Sequence, residues 1–129
     1  MKRTFALSVL VAVLVLATAV TALAGFTWCS TDPNIKLPNG GGVFHLVVSV
    51  PEEYADTPFT LDVWAPAGSQ VVGHTSKVNV TVVLHEGPED QVTATVAAGF
   101  PVLLGAKYRG DVLETYTFED GSGTAVWSW

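Results

Sequence analysis

The sequence predicts an all-β domain, a sandwich of about seven to nine short strands, and three observations carry that prediction. From Val43 onward apolar residues recur at every second position, as in Phe44, Leu46, Val48 and Val50. That is the period of a strand with one buried face. Clusters of Pro, Gly, Asn and Asp interrupt the pattern at short intervals, which marks turns between strands. Beyond residue 42 there is no place for a helix of ordinary length.

The chain opens differently. Lys2 and Arg3 precede an uncharged run from Phe5 to Val20, and Ala22-Leu23-Ala24 offers small residues before Gly25. This order predicts a helical signal peptide over residues 1–24, removed on export, and a secreted or extracytoplasmic location. The competing reading is an uncleaved membrane anchor. Roughly 20 apolar residues are needed to span a bilayer, and Phe5 to Ala24 just reaches that length. Its Ala- and Thr-rich end is weakly apolar, however, and no basic stop follows. Lipidation of Cys29 is excluded, because the bulky Phe26-Thr27-Trp28 separates it from the small residues.

Without residues 1–24, 105 of the 129 residues remain, enough for one domain with a single core. The leader holds two of six basic residues, so four remain against twelve acidic ones, a net charge of −8. Such a chain repels phosphate backbones, so nucleic acid is not an expected partner. A membrane becomes one only if the leader stays uncleaved. Cys29 is the sole cysteine. It is expected to be buried, with an intermolecular disulfide, and hence a dimer, as the alternative.

Residues 25–42 read as an irregular N-terminal arm, because Asp32-Pro33-Asn34, Leu37-Pro38-Asn39 and Gly40-Gly41-Gly42 are all turn chemistry. Trp28 and Ile35 are expected to pin it to the body. The sandwich domain occupies 43–129. Val43 to Val50 is its first strand, ended by Pro51, and Phe59 to Trp64 the second, with Phe59, Leu61 and Val63 inward. Gln70 to Gly73 reads as a short edge strand. Lys77 to His85 has the densest β-branched pattern and is placed in the middle of a sheet. Gln91 to Ala98 alternates with Val92, Ala94 and Val96 inward. Phe100 to Tyr108 contains Pro101 and Gly105, which predicts an edge or bent strand. Val112 to Phe118 and Thr124 to Trp129 form an expected closing hairpin around Asp120-Gly121-Ser122-Gly123. Its register would set Tyr116 opposite Trp127 on a buried face. At the level of general architecture the expectation is an immunoglobulin-like antiparallel β-sandwich. The cysteine pair and tryptophan spacing of antibody domains are absent.

No catalytic, cofactor or metal residues emerge. His45, His74 and His85 show no ligand spacing and read as surface histidines. The acidic clusters Glu52-Glu53-Asp56, Glu89-Asp90 and Glu119-Asp120 lack the spacing of a calcium loop, and no serine sits in a nucleophile context. Asp62 and Glu114 read as lone solvent-facing charges. Trp64, opposite the inward face of its strand, and Trp129, at the terminus, are the possible ligand-binding residues, since an exposed aromatic ring can stack on a sugar. Asn79-Val80-Thr81 matches the N-glycosylation pattern and is expected to be accessible. The function that follows is a non-enzymatic extracellular module, with a binding or structural role toward an unknown protein or glycan. The alternatives are a carbohydrate-binding domain using Trp64, and a small secreted enzyme or inhibitor acting through the Glu52–Pro58 or Glu86–Asp90 loop.

Overall fold

The computed structural model describes residues 29–129. The signal peptide, its cleavage point and the expected contact of Trp28 lie outside the described residues. Ten strands follow: β1 (Cys29–Thr31), β2 (Asn34–Lys36), β3 (Val43–Val50), β4 (Phe59–Pro66), β5 (Gln70–Gly73), β6 (Val80–Gly87), β7 (Gln91–Ala97), β8 (Val102–Tyr108), β9 (Asp111–Phe118) and β10 (Ser122–Ser128). One 3-10 turn covers Glu52–Tyr54. Six strands form one sheet, in the order β5-β2-β3-β8-β9 with β1 also on β3, and four form the other, β10-β7-β4-β6.

The alternation explains why two layers form. Phe44, Leu46 and Val48 from one sheet meet Leu61, Val63 and Val92 from the other, all fully buried. Each such side chain contributes about 1.5–3 kcal/mol on leaving water. With one cysteine in the whole sequence, that apolar interior is what holds the sheets together. The all-β, two-sheet expectation is met.

Several finer expectations are corrected. The arm is not wholly irregular. β1 and β2 lie end to end on one edge of β3, Cys29 opposite Val50 and Asn34 opposite His45, which raises the strand number to ten. Asp32-Pro33 breaks the strand but does not detach it, and Pro33 still accepts a hydrogen bond from the Leu46 amide at 3.0 Å. Ile35 is fully buried, as expected.

The sandwich is not purely antiparallel, since β4 and β6 pair in parallel, Phe59 opposite Val80 through Pro66 opposite Gly87. Between them the chain leaves for the other sheet, forms β5 there and returns, the kind of crossover a parallel pair requires. That excursion also puts β6 at the edge of its sheet rather than the middle. Its inner residues Val80, Val82 and Leu84 pack on the core but are only partly buried. Dense β-branching reports a pleated, half-buried surface, and an edge strand satisfies that equally well. Conversely, β8 is interior, paired with both β3 and β9. Pro101 falls just before it, where no ladder bond is lost, and Gly105 sits at a register shift toward β9.

The closing hairpin does not form. β9 pairs with β8 and β10 with β7, so the two strands belong to opposite sheets. Tyr116 and Trp127 do meet, edge to face with centroids 5.7 Å apart, but across the sandwich. The connecting segment is a corner made by two glycines. Gly121 has φ +71°, and a Cβ there would lie 2.3 Å from the Phe100 carbonyl oxygen. Gly123 leaves room for the Phe118 ring, which a Cβ would meet at 2.2 Å.

Candidate functional site

Strand directions sort the loops onto two ends. At one end lie the β2–β3, β4–β5 and β6–β7 connections, the β8–β9 turn and the C-terminal residue. Leu37, Pro38, Asn39, Gly41, Pro66, Ala67, Glu89, Tyr108 and Trp129 surround a cleft of about 260 Å³ there. An adjoining hollow of about 370 Å³ shares Leu37, Pro38 and Asn39 and adds Lys36, Gly40, Gly68 and Gln70.

Local sequence shapes the walls. The Gly41 amide donates to the Pro38 carbonyl at 3.0 Å. Asn39 and Gly40, with φ of 57° and 69°, form the centre of that turn. Two successive positive φ values define the mirror-image turn that Asn-Gly favours. The Tyr108 hydroxyl donates to the Gly41 carbonyl and ties the turn to β8. On the opposite wall the Ser69 amide and hydroxyl both donate to the Pro66 carbonyl, at 3.1 and 2.5 Å.

The aromatic side of the cleft grows out of the core. Phe44, fully buried, touches Trp127 at 5.7 Å and Trp129 at 6.2 Å between centroids. Tyr108 lies 4.9 Å from Trp129, tilted by 33°. Trp129 is therefore held on its flank while 43% of its surface stays exposed. The Arg109 guanidinium sits 5.1 Å from the centre of the Tyr108 ring, a cation–π contact. Glu89 also lines the cleft.

Trp64 is differently placed. It lies half-buried on the outer face of the four-stranded sheet, stacked on His85 at 4.7 Å and 19°. His85 Nε2 also pairs with Asp62 Oδ1 at 2.9 Å. Both partners are more than a third exposed, so the pair contributes little to stability. One face of Trp64 is thus occupied by a neighbour. The sequence read Asp62 and His85 as unconnected, and only the parallel β4/β6 register brings them together.

The remaining candidates are dispersed. His45 bonds Asn34 across β2 and β3, and His74 is exposed in a loop. Among the described residues no three His, Cys, Asp or Glu side chains converge as a metal site would need. Asp120 accepts the Ser122 amide at 3.0 Å, closing its own turn. Cys29 is buried, so a disulfide to a second chain would require β1 to leave β3. Asn79 is exposed just before β6. On β9 the Tyr116 hydroxyl donates to Glu114, and that carboxylate raises the phenol above its ordinary pKa of 10.0. No helix among the described residues is long and apolar enough to cross a membrane.

Sequence reasoning reached Trp129 and, as one of two alternative loops, Glu86–Asp90, but missed Tyr108 and Asn39. The available signal was directional. Every second connection along an up-and-down chain falls at the same end, so turn chemistry at Asn39, Gly68, Glu89 and Arg109 foretold neighbours. Comparison with protein-family models, curated proteins and solved structures finds no match.

Proposed function

We propose that the protein is an exported, non-enzymatic binding module, immunoglobulin-like in general architecture, that holds its ligand in the loop-end cleft. One observation carries this reading: Trp129 stays 43% exposed beside a 260 Å³ cleft while Tyr108 and Phe44 fix its position. A large aromatic ring so braced meets a ligand with little further loss of freedom. Concavity with a few converging polar groups is the usual form of a ligand site. Export rests on the charged, apolar, small-residue order of residues 1–24.

A thermal-shift screen of fragments and soluble glycans tests the binding reading. Cleft ligands should raise the Tm of the wild-type protein and leave Trp129→Ala unmoved. Ligands that stabilise both equally, or lose their effect only in Trp64→Ala, would contradict it. Mass spectrometry of the protein recovered from its own culture medium tests export, with an N-terminus at Gly25 expected.

A further inference from the structure

We infer that the cleft takes a neutral oligosaccharide of at least two units, one ring against Trp129 and the next over the Pro38–Asn39 turn. The inference rests on the binding reading above and adds the ligand's class.

Three features select that class. The lining mixes the aromatic residues Tyr108 and Trp129 with the polar residues Asn39 and Glu89, beside Gly41. A sugar matches both at once, because its C–H face packs on a ring while each hydroxyl both donates and accepts. A wholly apolar ligand would leave the polar groups without partners.

Charge narrows the choice further. The chain carries a net −6 and Glu89 lines the cleft, which offsets the attraction that Arg109 at the rim and Lys36 in the adjoining hollow offer an anion. A cationic ligand meets the opposite obstacle, since the Arg109 guanidinium already sits 5.1 Å from the Tyr108 ring. A second cation at that ring would face like charge.

Size sets the length. A volume of about 260 Å³ lies just below the usual range of about 300–1,000 Å³ for small-molecule pockets, and suits one sugar ring. The neighbouring hollow of about 370 Å³ shares the Leu37–Asn39 wall and offers Lys36 and Gln70 as hydrogen-bonding groups. A chain that crosses the turn reaches both.

Calorimetric titration of the purified protein tests this, using neutral gluco-, manno- and N-acetylglucosamine oligosaccharides of one to four units. At least one series should bind, with affinity rising about tenfold or more from one unit to two. Trp129→Ala should lose at least tenfold, Trp129→Phe should keep most of the affinity, and Gln70→Ala should weaken the two-unit ligand but not the single sugar. Absence of binding across all series, or affinity indifferent to length, would overturn the inference. Tetramethylammonium that binds the wild type and fails with Glu89→Gln would also overturn the sugar class, yet leave the cleft as the site. Saccharide binding that survives Trp129→Ala but not Trp64→Ala would instead overturn the cleft itself.

Discussion

At one end of the sandwich the aromatic core runs out to water, from Phe44 through Tyr108 to a half-exposed Trp129. At the other end it closes on itself. Phe100 stacks on Tyr54 at 5.0 Å and meets Phe59 edge-on at 5.6 Å. Phe59 and Phe100 are both buried. The 3-10 turn Glu52–Tyr54 and the Gly121 corner fold over that cluster. Similar residue types are thus placed differently: the closed end contributes stability, and the open end leaves apolar surface exposed, where the proposed binding role needs it. Trp129 stays exposed while its ring is in contact with Phe44 and Tyr108.

Substitutions can separate the two roles. The largest expected effect is at the closed end, where Phe100→Ala should cost about 3–5 kcal/mol in urea unfolding. It should leave ligand affinity at the cleft unchanged. Gly121→Ala comes next, because its positive φ and the 2.3 Å approach to the Phe100 carbonyl oxygen combine strain with a clash. A loss of about 2 kcal/mol or more is expected. At the open end Trp129→Ala should cost only about 1 kcal/mol, given its exposure, while abolishing binding. Equal stability losses for Phe100→Ala and Trp129→Ala would erase the distinction.

Two smaller effects sharpen it. Cys29 lies in β1 beside Val50, toward the closed end, and is buried. Its thiol should react with a disulfide reagent only at the rate of local or global unfolding. Rapid labelling of the native protein would show that β1 detaches readily. Tyr116, between the ends, has its pKa raised by the hydrogen bond to Glu114. The raised value means the folded state favours the neutral phenol. Its contribution is therefore fully present below pH 10, and is lost as pH rises through the higher folded value. Ultraviolet titration should show a phenol ionising above pH 10 that Tyr116→Phe removes.

Much of the fold was legible where a strand's own period settles the matter. Val43–Val50 begins and ends where the alternation does, and Phe59, Leu61, Val63, Val92, Ala94 and Val96 all point inward as read. Pairing was not legible, because it depends on partners distant in sequence. The β-branched run of β6 fits an edge or a centre equally, and Pro101 in front of β8 does not mark an edge. The Gly121-Ser122-Gly123 segment that opens β10 carries hairpin chemistry, but it forms a corner between sheets, with the Phe118 ring against Gly123 and the Phe100 carbonyl oxygen close to Gly121. For the site, Trp129 was visible as a terminal aromatic. Its setting was not, since Tyr108, Asn39 and Glu89 come from three separate connections.

On the proposed reading, ligand contact belongs to the open end alone. Amide chemical-shift mapping, with the neutral oligosaccharide that binds best, tests it most directly. Shifts should be confined to residues 36–42, 66–70, 89, 108–109 and 129. Shifts centred on Trp64, Asp62 and His85, or on Tyr54 and Phe100, would contradict it.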